Sequence, residues 1–136
     1  MRPLPIEELD QNIVTLCTRI NAATYELLVM IREFDQRGAY LKFGLHNTVE
    51  WLAWRCDLTS ATAREKVRVA RALGDLPLVS ESFSTGELSY SKVRSLTRVA
   101  TSENEADLVS FAFRHTASQV AEHCAELRMG MPASTD

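Results

Sequence analysis

LTSATAREKVRVARALGDLPLVSESFSTGELSYSKVRSLTRVA, residues 58–100, reads as three short helices and no strand. Thr59 or Ser60 offers an N-cap for a helix that runs to Leu73 and stops at Gly74. Asp75-Leu76-Pro77 starts a second, ended by Gly86, and Ser89 caps a third to about Ala100. On the first, Ala63, Val67 and Ala70 form an apolar stripe beside Arg64, Arg68 and Arg71, spaced i, i+4, i+7 on one face. On the third, Ser91, Arg94, Ser95 and Arg98 line a polar face beside Val93, Leu96 and Ala100. Residues 59–98 sum to +3, whereas the whole chain is −3, so the rest carries −6. A local basic field in an acidic protein suits a phosphate-facing surface, because guanidinium and hydroxyl groups donate to phosphate oxygens. The alternative is a pair of solvated faces closed by local ion pairs, for which Glu65, Glu81 and Glu87 are near enough.

The join into this stretch, from Leu52 to Arg64, has the layout of a helix-turn-helix: small Ala53, a tight turn, apolar Leu58, then a Thr/Ser-capped helix. Asp57 stands where a turn glycine is usual, and Val67 falls one place late for the usual buried position.

Upstream, one long helix is expected from about Pro5 to Leu41. Ile6, Leu9, Ile13, Leu16, Ile20, Ala23, Leu27, Met30 and Phe34 alternate spacings of three and four, a heptad seam. One flank, Asp10, Cys17, Thr24, Ile31, grows more apolar along the helix, and Leu28 joins it. Such widening favours a spine packed by helices of its own chain over a dimer seam. The N-terminal part, Ile6, Leu9, Ile13 and Leu16, is the candidate oligomerisation surface.

Capping boxes at Asn47–Glu50, Ser102–Glu105 and Thr116–Gln119 open further helices to about 56, 115 and 128. The expected fold is therefore all-α: about seven helices, a long N-terminal spine and a helix-turn-helix-like centre. Residues 1–128 read as one domain and 129–136 as a flexible tail. The start lacks a basic-then-apolar leader pattern and no run of 18 residues is wholly apolar, so a cytoplasmic protein with no membrane partner is expected. Cys17, Cys56 and Cys124 are odd in number and far apart, which suits reduced thiols. His46, His115 and His123 have no ligand-like spacing, and glycine is too scarce, at five, for a nucleotide cradle. No catalytic residue, metal site, cofactor or small-molecule substrate is expected.

The motifs WLAWR (51–55), LTxxTARExVRVARAL (58–73), LP (76–77) and GELSYSKVRxLTRVA (86–100) resemble the domain-of-unknown-function 222 family of actinobacteria, which includes the mycobacterial 13E12 repeat proteins. The likeness spans roughly residues 5 to 128. It implies a helical region that members carry ahead of an HNH nuclease domain, whose ligands are absent here. DNA binding is then an inheritable property and DNA cleavage is not. The first functional expectation is a non-catalytic DNA-binding accessory domain using Arg64, Arg68, Arg71, Ser91, Arg94 and Arg98. The alternatives are an interaction or homodimerisation module on the long helix, or a truncated relic of an HNH-associated protein.

Overall fold

The computed structural model describes residues 2–130, and its regular elements are all helical. They are α1 (Ile6–Gln36), a 3-10 turn (Ala39–Phe43), α2 (Thr48–Arg55), α3 (Ser60–Leu73), α4 (Pro77–Ser84), α5 (Tyr90–Leu96), α6 (Glu105–Arg114) and α7 (Ala117–Gly130). The expected seven helices and long first helix are present.

Local chemistry sets most boundaries. Thr59 Oγ1 accepts from the Thr62 N–H, and Ser89 Oγ from the Lys92 N–H, as expected of N-caps. Thr116 and Gln119 form a reciprocal capping box, each side chain accepting from the other's backbone N–H. Three boundaries differ from the reading above. α5 ends at Leu96 rather than near Ala100, where the chain passes into a turn that carries Arg98. α1 ends at Gln36, not near Leu41, because Gly38 turns left-handed (φ 60°) and the chain tightens into the 3-10 turn. The box ahead of α6 is built by Thr101 and Asn104 rather than Ser102 and Glu105: Thr101 Oγ1 accepts from Asn104 N, and Asn104 Oδ1 accepts from Thr101 N. Glu105 is instead buried and accepts from the Val79 N–H at 2.8 Å, closing an open donor at the start of α4. Met129 and Gly130, assigned above to the tail, continue α7; residues 131–136 lie outside the described residues.

The core gathers Leu28 and Ile31 of α1, Val67, Val69 and Leu73 of α3, Phe83 of α4 and Leu96 of α5, with Val120 and Cys124 closing it from α7. α1 crosses α3 and α4, α2 lies on α3, and α7 packs on α5. The central join keeps two traits of the expected layout. Asp57 adopts the left-handed conformation (φ 57°) that a glycine would supply, and Val67 is buried despite its late register.

The largest correction concerns α1. Up to Met30 its heptad seam does not pack inside its own chain: Ile13 is 56% exposed, and Ile6, Leu9, Leu16, Ile20, Leu27 and Met30 are exposed with it, while Phe34 alone packs, on Trp51. The flank column does the packing instead, through Leu28 and Ile31. α3 and α4 approach from that side, so the intramolecular spine is the second half of the helix on a neighbouring face. Residues 2–20 are exposed throughout. The last tight contact before the overhang is at Thr18, which abuts buried Gly86, and Asn21 Nδ2 donates to the Gly86 carbonyl at 3.2 Å.

Candidate nucleic-acid interface

Glu65 and Arg68 lie one turn apart on a face of α3, and Arg94 of α5 shares a face with Arg98 in the turn just past the Thr97 C-cap. The fold brings the two faces together on one carboxylate. Arg68 grips Glu65 with Nε and Nη2, both at 2.9 Å; Arg94 Nε donates at 3.0 Å and Arg98 Nη2 at 3.1 Å. Arg68 also donates to the Arg94 carbonyl at 3.2 Å, tying α3 to α5 directly. Three guanidinium groups on one carboxylate leave the cluster at +2.

The Glu65 side chain is 17% exposed, and the Arg68 hydrogen bonds, then those of Arg94, hold its pKa at about 2 against an ordinary 4.5. A depressed carboxylate contributes stability that is complete above pH 4.5 and is lost as the pH falls through 2. Discounted for the partly solvated arginines, the contribution is about 2 kcal/mol. Urea unfolding between pH 6 and pH 2 is expected to show that loss in the native chain and a flatter curve for Glu65→Gln. Equal slopes would remove the network from the stability of the fold.

Arg71 is engaged elsewhere. Its Nε donates to Asp35 of α1 at 2.8 Å, and Thr48 Oγ1 donates to the same carboxylate at 2.6 Å. The Arg71 hydrogen bond is the main reason the Asp35 carboxyl lies below its usual range. This junction fastens α1, α2 and α3 together, and Arg71 is neutralised in making it. Arg64 is exposed and makes no ion pair or hydrogen bond among the described residues. Ser91 and Ser95 join Arg94, Arg98 and Ser118 in lining a groove of about 410 Å³ between α5 and the start of α7. Arg98 also lines the adjoining hollow with Arg128, a residue that no pattern in the chain singles out.

The six residues expected to bind therefore divide. Arg68, Arg94 and Arg98 converge with Ser91 nearby, Arg64 stands free one turn before Arg68, and Arg71 is spent on Asp35. Lys66 is withdrawn: its Nζ sits 4.1 Å from the Tyr90 ring centroid. Lys92 closes α6 by donating to the Ala112 carbonyl at 2.6 Å. Among the described residues no three His, Cys, Asp or Glu side chains group as metal ligands would.

An all-helical domain in which a long first helix leads into a helix-turn-helix-like centre, with a compact arginine network joining α3 to the α5 segment, is the class of protein defined by this fold and surface. Residues 8–130 match the family model described as a domain of unknown function, DUF222. The chain belongs to that family, in agreement with the resemblance carried by its central motifs. Comparison with curated proteins and with solved structures gives no match.

Proposed function

We propose that this chain is a non-catalytic DNA-binding accessory domain that meets the phosphate backbone with the face formed by α3, α5 and the start of α7. The observation that carries the reading is the convergence of Arg68, Arg94 and Arg98 on a single glutamate, which leaves two uncompensated positive charges beside a groove lined with serine hydroxyls. Arg64 adds a third charge, at the exposed start of α3, the end of the second helix that helix-turn-helix proteins bring to the groove.

Five arginines acting independently would give a salt slope of −4 to −5. Ion pairing reduces the net count to three, so the slope of log affinity against log salt is expected near about −3. Fluorescence anisotropy of a labelled duplex across a salt series measures it. Arg64→Glu, which breaks no contact of the fold, should weaken binding by about tenfold at low salt and make the slope shallower by about one. Failure to bind at 50 mM salt, or a slope indifferent to Arg64, would reduce the network to structural ion pairs.

A separate observation favours a second reading, that of an interaction or oligomerisation module. The apolar seam of α1 is exposed from Ile6 to Met30.

A further inference from the structure

An amphipathic helix ordinarily turns its apolar stripe toward its own core. α1 does this with Leu28 and Ile31 and leaves a second stripe uncovered. From Ile6 to Met30 that stripe is about 36 Å long and roughly 10 Å wide, a footprint on the order of 400 Å². Isolated monomers seldom leave a contiguous apolar patch much larger without using it. The patch does not stop where α1 stops. Phe34 packs on Trp51 at 4.1 Å between centroids and stacks near Phe43, while Leu41, Phe43 and Trp54 remain exposed beside it. With this aromatic edge the surface extends toward the roughly 800 Å² that each partner of a stable dimer contributes.

Charge identifies the occupant and its direction. The free end of α1 carries Glu7, Glu8 and Asp10, with no basic residue from Ile6 to Thr18. At the aromatic end Arg37 pairs with Glu33 at 3.1 Å, Asp35 pairs with Arg71, and Lys42 and Arg55 stand against Glu50 and Asp57, so this end carries no acidic excess. A parallel pair would stack three acids on three acids. An antiparallel pair instead sets each acidic end against the partner's charge-balanced end and opposes the helix dipoles.

We infer that the seam of α1 is the interface of an antiparallel homodimer of this chain. The inference rests on the interaction-module reading and is independent of DNA binding. Heptad geometry allows more than one antiparallel register, and the one that opposes Arg19 to Glu26 is taken here. Leu9 faces the other copy's Phe34, Ile13 its Met30, Leu16 its Leu27 and Ile20 its Ala23. In that register Arg19 meets Glu26 of the second copy, twice by symmetry, on the flank of the seam not used by α3 and α4. A parallel coil would place Arg19 beside Thr24 and Glu26 beside Ile31, with no ion pair.

Sedimentation equilibrium of the full chain over a wide concentration range tests this, with circular dichroism confirming that each variant folds. The native chain should dimerise, and Ile13→Asp should weaken dimerisation by on the order of a hundredfold or more, while leaving the body folded because Ile13 lies on the exposed overhang. Arg19→Glu alone should weaken it roughly three- to tenfold, and Arg19→Glu combined with Glu26→Arg should restore it. A dimer indifferent to Ile13→Asp would overturn α1 as an interface altogether. A dimer lost with Ile13→Asp but not rescued by the double reversal would keep the α1 reading and overturn the antiparallel register. A monomer at every concentration would overturn self-pairing. α1 is also apolar and long enough, by composition and length, to cross a membrane. A monomer that Ile13→Asp releases from phosphatidylcholine vesicles would give the seam to lipid and overturn the proposal.

Discussion

Replacing Gly86 by alanine is expected to destabilise the domain by about 4 kcal/mol, lowering its melting temperature by roughly 12–20 °C. Two costs add. Gly86 has φ +85°, a conformation that costs an L-residue with a Cβ about 1–2 kcal/mol. A Cβ there would also overlap the carbonyl oxygen and the Cγ2 of Thr18 on α1. The obstructing oxygen is backbone, so relief requires moving α1 itself, at the 1–3 kcal/mol typical of overpacking. The displaced helix would also lose the Asn21–Gly86 hydrogen bond. Differential scanning calorimetry of Gly86→Ala checks the figure. A fall of less than about 3 °C would mean that α1 is not held where the structure places it.

Phe83→Ala is expected to cost about 3–5 kcal/mol. Phe83 is fully buried at the centre of the core and meets Tyr25 of α1 edge to face, with centroids 5.7 Å apart. Truncation opens a cavity between α4 and α1, and both helices are fixed elsewhere: α1 by the Asp35–Arg71 pair, α4 by the Glu105 carboxylate at its start. Collapse around the gap is therefore limited. Phe83→Leu should lose about 1.5 kcal/mol or less, since most of the volume remains. Urea midpoints measured at constant m-value give both numbers. A loss near 1 kcal/mol for the alanine variant would place the centre of the core elsewhere.

Much of this architecture was legible in the chain because short-range chemistry specifies it. Thr59, Ser89 and Thr116 cap helices by contacts within three residues, and Gly38 and Gly86 turn the chain by their own backbone freedom. Asp57 was legible as a departure from the turn pattern, and the turn keeps its shape because aspartate tolerates the left-handed region better than most residues. What escaped depends on pairings distant in sequence. The periodicity of α1 marks two apolar columns but not which one α3 and α4 will cover, since that choice depends on chain packing about 30 to 55 residues away. Glu65 was readable as a neighbour of Arg68. Its service to Arg94 and Arg98, about 30 residues on, was not. Arg71 reads as one of three equivalent arginines until Asp35, 36 residues earlier, arrives beside it.

The placement of Thr18 against Gly86 divides one continuous helix into two cooperative units. Beyond it, residues 21–36 share the free energy of the core and open only when the domain opens. Before it, residues 6–17 draw on helix propensity and on propagation from the anchored end, the regime in which a dozen residues are marginal in water. Fraying of that half from its N-terminus would leave the arginine network and the core undisturbed. Whatever covers its seam would therefore also hold the helix against fraying, so recognition there carries an ordering entropy that a rigid surface would not.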